Sequence, residues 1–168
     1  QGVLYVAQED VGFWRSDDRG ATEIYVHPQD PERFYVMLGS FSNTLREDNV
    51  RSEIQKSLDG GTTTTDVTPP SPAQRLGRGA LAVVWGADPG QDIVYAAFHG
   101  DSIYKSSDGG ATWSEISTGF SAQDLPVIYR ITVNPDDPDI VYAGLATFFG
   151  TFDSPGGLYR TTDGGASW

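Results

Sequence analysis

Short runs of alternating apolar and polar residues recur along the whole chain, each closed by a turn rich in Gly, Pro or Asp. Val3–Ala7 and Gly12–Ser16 read as two strands, and Ile24–His27 as a third. Pro28-Gln29-Asp30-Pro31 then turns the chain into a strand over Phe34–Leu38. The same unit returns as Leu81–Trp85, Ala87-Asp88-Pro89 and Ile93–Phe98, and again as Ile131–Val133, Asn134–Pro138 and Ile140–Leu145. Period-two alternation bounded by such turns predicts strands, and no stretch carries a sustained helical period. Proline fixes φ and lacks an N–H, so the Pro of each turn suits a turn and not a central strand.

Each unit then runs into a second kind of turn. Ile103–Trp113 reads IYKSSDGGATW, Leu158–Trp168 reads LYRTTDGGASW, Ile54–Thr64 reads IQKSLDGGTTT and Phe13–Glu23 reads FWRSDDRGATE. All four fit [ST]-x-D-x-G-x-[ST]. Asp-Gly-Gly between two strand-like runs predicts a tight hairpin, because glycine adopts positive φ without steric cost and a short Asp side chain accepts turn amides. The hairpin residues are Ser16, Asp18 and Gly20; Ser57, Asp59 and Gly61; Ser106, Asp108, Gly110 and Trp113; and Thr161, Asp163, Gly165 and Trp168. Where the first two copies replace the closing Trp by Glu23 and Thr64, looser packing is expected. Four copies of one motif make an internal repeat.

The motif resembles the Asp-box of the sialidase-like β-propellers, a group that includes sialidases, xyloglucan-cleaving glycoside hydrolases and the sortilin ectodomain. The resemblance implies an all-β propeller whose box joins the third and fourth strands of each blade, away from the active site, so the box residues are assigned to structure. It implies no single activity, because one fold hosts many functions.

The box aspartates Asp18, Asp59, Asp108 and Asp163 stand 41, 49 and 55 residues apart, the length of a four-stranded blade. With strands A to D counted outward from the axis, the repeat divides the chain into a partial first blade (1–22), a second (23–68), a third (79–117) and a fourth (128–168). The expectation is therefore about three and a half blades, a portion of a larger propeller, since closure takes at least four. One junction is too short. From Asp18 to Ile24 is six residues, a reach of roughly 20 Å at full extension, which leaves nothing for a fourth strand. Either the first blade lacks that strand or residues are missing near Ala21–Glu23, and the second alternative predicts a chain break there.

Composition narrows the function classes. The chain has 168 residues, no Cys and a formal net charge of −12. That excludes disulfide frameworks and thiolate metal sites, and it argues against nucleic acid and anionic membrane as partners. Ala80–Trp85, an apolar run unexceeded in length elsewhere, is too short to span a bilayer. The start at Gln1 reads as a mature or trimmed form. No P-loop, zinc spacing or EF-hand loop occurs, and the prolines of Asn134–Asp139 suit a turn better than a calcium loop. No metal or cofactor is expected.

Candidate chemistry lies where the connections vary. The A–B and C–D turns are short and repetitive; the B–C and D–A connections, on the opposite face, differ from blade to blade, and binding residues concentrate on such loops. Phe148, Phe149 and Phe152 could stack on sugar rings, with Asp153 holding hydroxyls; the alternative is that they fold their own loop onto the blade. Arg46, Glu47, Asp48 and Arg51 form a mixed-charge loop that also reads as a solvated tip. His99 and Asp101 flank Gly100 as a polar pair or a structural turn. Glycoside cleavage needs two carboxyl groups about 5–9.5 Å apart, and Asp10, Asp48, Asp101 and Asp153 are the candidates. Tyr129-Arg130-Ile131-Thr132 is similar to a Tyr-Arg-Ile-Pro motif of sialidases, but Thr stands for Pro and it falls where every A strand falls, so it is read as ordinary strand. The sequence thus predicts an extracellular or periplasmic recognition or scaffold module, with part of a sialidase-like or xyloglucanase-like glycoside hydrolase as the alternative. Its expected partners are a polysaccharide or glycan, and further blades or another subunit.

Overall fold

The computed structural model describes residues 20–39, 52–70, 79–98, 101–120, 128–145 and 156–168. They form three antiparallel sheets, consistent with part of a β-propeller. The first holds β1 (Gly20–His27), β2 (Asp30–Gly39), β3 (Glu53–Ser57) and β4 (Thr65–Asp66), neighbours in chain order. The second repeats that meander with β5 (Gly79–Val84), β6 (Ile93–Phe98), β7 (Ile103–Ser106) and β8 (Ser114–Glu115). The third holds β9 (Ile128–Asn134), β10 (Asp137–Leu145) and β11 (Gly157–Thr161).

One expectation about the strands needs correction. Pro28 and Pro135 lie in turns, but Pro31 lies within β2 and Pro138 within β10. Both fall where the register skips, between the pairs His27↔Asp30 and Val26↔Phe34 and between Asp137↔Asn134 and Val141↔Val133. A residue without an N–H is tolerated there because no ladder bond is asked of it. Ala21–Glu23 lies inside β1, where a bulge shifts the register between Ala21 and Glu23.

The core lies between sheets. Tyr35, Met37 and Ile54 pack with Leu81, Val83, Val94 and Phe98 across the first interface. Ala80, Ala82, Tyr95 and Ile103 pack with Ile131, Val141 and Ala143 across the second. Strand β6, covered on both faces, is buried from Val94 to Phe98, whereas β10 alternates buried and half-buried residues from Val141 to Leu145.

The Ser/Thr-x-Asp-x-Gly turns of the three sheets share one bonding pattern. The Ser106 hydroxyl donates to Asp108 Oδ1 (2.7 Å) and accepts the Gly110 N–H (2.8 Å). Asp108 Oδ1 accepts the Thr112 N–H (2.8 Å), and Oδ2 accepts the Thr112 hydroxyl. Ser57, Asp59, Gly61 and Thr63 repeat these bonds, as do Thr161, Asp163, Gly165 and Ser167. The closing tryptophans reach the preceding sheet: Trp113 Nε1 donates to Val67 O (2.9 Å), and Trp168 Nε1 to Ile116 O (2.7 Å). Thr64, at the corresponding place, is exposed.

These bonds favour ionised carboxylates. The Ser167 hydroxyl, the Thr161 hydroxyl and the Ser167 N–H hold Asp163 down at about 2, from an ordinary value of 3.8, and Asp59 and Asp108 are lowered for the same reason. A depressed folded-state pKa stabilises above the unfolded value, and that contribution is lost as pH falls through the folded one. Thermal stability is expected to drop between about pH 4 and pH 2, and Asp163→Asn should flatten that part of the profile. A melting-temperature profile with the same acid slope in parent and variant would contradict it.

Candidate functional site

In a propeller the first strand of each blade faces the axis, and here β1, β5 and β9 are the edge strands in that position. An edge strand leaves outward N–H groups without ladder partners. Glu23 in β1 meets one of them: its Oε2 accepts the Leu81 N–H of β5. Its Oε1 lies 3.1 Å from Arg130 Nη1 of β9. One carboxylate thus joins the first strands of all three sheets. All three residues stand in the earlier part of their strands, toward the face that carries the D–A and B–C connections.

The electrostatics follow from the partial closure. Glu23 has 11% of its side chain exposed, while the Arg130 guanidinium is open to solvent at 67%. Burial pushes the Glu23 carboxyl above its ordinary range; the Leu81 N–H and Arg130 oppose that without cancelling it. Tyr25, two residues along β1, is raised chiefly by burial and further by Glu23. Tyr129 is exposed beside Arg130. The cluster therefore presents a largely buried carboxyl beside an accessible guanidinium, with the exposed Tyr129 next in sequence, groups suited to a hydroxyl-rich ligand.

The loop face contributes two further carboxylates. Asp101 lies after β6, within 3.2 Å of the Tyr104 hydroxyl through either oxygen. Glu115 of β8 accepts the Ser102 hydroxyl (2.7 Å). Of the candidate catalytic and ligand-binding residues, Asp101 is the one the structure describes. Asp10, Arg46, Asp48, His99, Phe148, Phe149, Phe152 and Asp153 lie outside the described residues, as do Ser16 and Asp18 of the first hairpin. Among the described residues no group of three His, Asp or Glu is placed to hold a metal, and no helix is long and apolar enough to cross a membrane.

Sequence reasoning passed over Glu23 and Glu115 and took Arg130 for an ordinary strand residue. Arg130 is in a strand, and it also binds a carboxylate, that of the chain's own Glu23. The available signal was the short step from Asp18 to Ile24. The position that holds Trp in later repeats is Glu23, and it lies on β1.

Comparison with known proteins places the chain beside propeller enzymes. No family model matches it. It is 28% identical over 178 residues to a xyloglucanase of Paenibacillus sp, covering 94% of this chain and 17% of the relative. It is 31% identical over 156 residues to a probable oligoxyloglucan-reducing end-specific xyloglucanase of Neosartorya fischeri, covering 89% and 17%. The chain thus spans about a sixth of the length of these relatives. Among solved structures it superposes on the GH74 enzyme of Niastella koreensis with a TM-score of 0.59 at 24% identity, covering 88% of this chain and 22% of that one. It superposes on YCF48 of Cyanidioschyzon merolae with a TM-score of 0.55 at 16% identity, covering 100% and 38%. These likenesses show the fold, a portion of a β-propeller.

Proposed function

We propose that the chain is a portion of an extracellular Asp-box β-propeller that recognises a polysaccharide of the xyloglucan kind on the face bearing the B–C and D–A connections. The observation that carries the reading is the likeness to xyloglucanases over about nine-tenths of this chain. The axial cluster supports it: Arg130 and Glu23 supply hydrogen-bonding groups for sugar hydroxyls, and Tyr25 and Tyr129 supply ring faces. Recognition, and not cleavage, is the primary role assigned to this portion.

Hydrolysis is the second reading, and one feature favours it. A carboxyl whose pKa is raised by burial can act as a general acid, and Glu23 is raised in that way. The paired carboxylate would come from the loop face, where Asp10, Asp48, Asp101 and Asp153 remain the candidates.

Isothermal titration with xyloglucan oligosaccharides tests both readings. Binding is expected, weakened about tenfold by Arg130→Ala, the loss of one charge-assisted contact. Unsubstituted cello-oligosaccharides bound equally well would refute the xyloglucan assignment, and no binding to either would refute recognition. Release of reducing ends, abolished by Glu23→Gln with binding kept, would establish the hydrolytic reading.

A further inference from the structure

The first strands of the three sheets share one equivalent position near the face of the variable connections. Glu23, Ala80 and Arg130 stand in register with Met37, Ala97 and Gly144. Each of those partners lies two residues after the tyrosine of its own strand, Tyr35, Tyr95 or Tyr142. The repeat thus sets an acid and a base on sheets that are not neighbours, with an uncharged residue between them. The bulge of β1 falls immediately before Glu23, and a bulge re-aims the side chains beside it.

The two carboxylate oxygens of Glu23 are held unequally. Oε2 accepts the N–H of Leu81, a fully buried residue. Taking that acceptor away would leave a buried backbone donor unpaired, which is costly. Oε1 lies 3.1 Å from Arg130 Nη1, and that guanidinium is 67% exposed. Water can take the place of Glu23 there, so the exposed contact is the cheaper one to lose.

A proton on the carboxyl forces a choice between the two. A guanidinium carries five donors and no acceptor, and a neutral carboxyl gains an O–H donor. A proton on Oε1 sets donor against donor and removes the charge that held Arg130. A proton on Oε2 would instead compete with the Leu81 N–H. The first arrangement keeps the buried bond and gives up only the exposed one.

We propose that Glu23 and Arg130 form an acid-released strap between the first strands of the first and third sheets. Protonation of Glu23 keeps the bond to Leu81 and frees Arg130, whose donors then all face the side of the variable connections. The surroundings add no competing titration. At this level β5 brings the Leu81 N–H and Ala80, β2 brings Met37, and β9 brings Arg130, which stays charged. Tyr25, two residues along β1, is raised by burial and stays neutral in acid. Burial also raises the Glu23 carboxyl, so release comes at milder acidity than an exposed glutamate would give. The strap belongs to the free chain and does not depend on what the propeller binds.

The test is NMR of the full chain, isotope-labelled in its arginine side chains, glutamate carboxyls and backbone amides. The pH is lowered from about 7 to about 4, a range that ends before most of the turn aspartates take up protons. At neutral pH, Arg130 is expected to show separate Nη signals, the mark of a guanidinium held in place. Those signals should merge as the Glu23 carboxyl titrates, the two changes sharing one midpoint, while the Leu81 amide stays hydrogen-bonded. Glu23→Gln, whose amide keeps a carbonyl for Leu81 and turns a donor toward Arg130, should show merged signals at every pH. The parent titration decides alone if that variant does not fold. Separate Nη signals that persist after Glu23 has titrated overturn the proposal. Merged signals already at neutral pH, or loss of the Leu81 bond in place of the Arg130 contact, overturn it equally.

Discussion

Asp92→Ala is expected to cost about 3–5 kcal/mol, as for removing one partner of a buried ion pair. The Asp92 carboxylate has no exposed side-chain surface and gathers groups from two sheets. Oδ1 accepts the Gly86 N–H (2.9 Å) and Arg33 Nη2; Oδ2 accepts Arg33 Nε (3.2 Å) and lies 2.9 Å from Tyr35 Oη. Without it, Arg33 keeps contacts to Gly86 O (3.4 Å) and Asp88 O (3.1 Å) and the Trp85 ring face, none of which neutralises a buried guanidinium. The companion variant separates charge from packing. Arg33→Met in the Asp92→Ala background should recover part of the loss, because apolar replacement of a buried pair is often neutral. The sister pair, Lys105 with the half-exposed Asp139, should show little on Asp139→Ala, about 0–1 kcal/mol. Urea midpoints measure all three. A loss below about 1 kcal/mol for Asp92→Ala, or an Arg33→Met change that deepens it, would show that the pair is not what joins the first two sheets.

The difference between those two acids explains what the sequence could and could not reveal. Meandering four-stranded sheets were legible because each depends on local signals: period-two runs, Asp-Pro turns and Asp-Gly hairpins. Strand lengths near the prolines were less so, since Pro31 and Pro138 avoid the ladder only through bulges that appear once the strands are paired. Asp92 and Asp139 hold equivalent places in the repeat, yet one is sealed and one is wet. The distinguishing residue is Arg33, two places before Tyr35, where the later repeats have Ile93 and Ile140.

The axial cluster was harder still, because it exists only after three sheets converge. Glu23, Leu81 and Arg130 belong to three repeats, and Leu81 takes part through a backbone N–H that no side-chain pattern can advertise. Asp101 was picked from its loop, and its Tyr104 contact is local enough to be anticipated. Variable loops mark a face of the fold; which carboxyl has its pKa raised is decided by burial, and burial is a tertiary property.

Gly110→Val should cost about 4 kcal/mol, combining a bulky residue in the left-handed region with overpacking. Gly110 has φ +91°, and a Cβ built there would lie 2.7 Å from Val67 Cβ in the preceding sheet. That neighbour is the stem of a side chain in a tightly packed seam, closed by Trp113 Nε1 bonding to Val67 O, so it has little freedom to withdraw. Gly61 occupies the same place in the first sheet's turn, at φ +88°, but a Cβ there meets only the Phe34 ring edge at 3.5 Å. Gly61→Val should therefore show the conformational cost alone, about 1–3 kcal/mol. Asp108→Ala, which removes the acceptor for Thr112 while leaving the seam intact, belongs in that smaller class, at about 1–3 kcal/mol. Oligosaccharide affinity should be unchanged wherever the protein remains folded, since these turns lie on the face opposite the connections. Equal losses for Gly110→Val and Gly61→Val in urea would show that backbone strain, and not the approach of neighbouring sheets, sets the requirement for glycine. A binding defect in a variant of undiminished stability would move the ligand to the turn face.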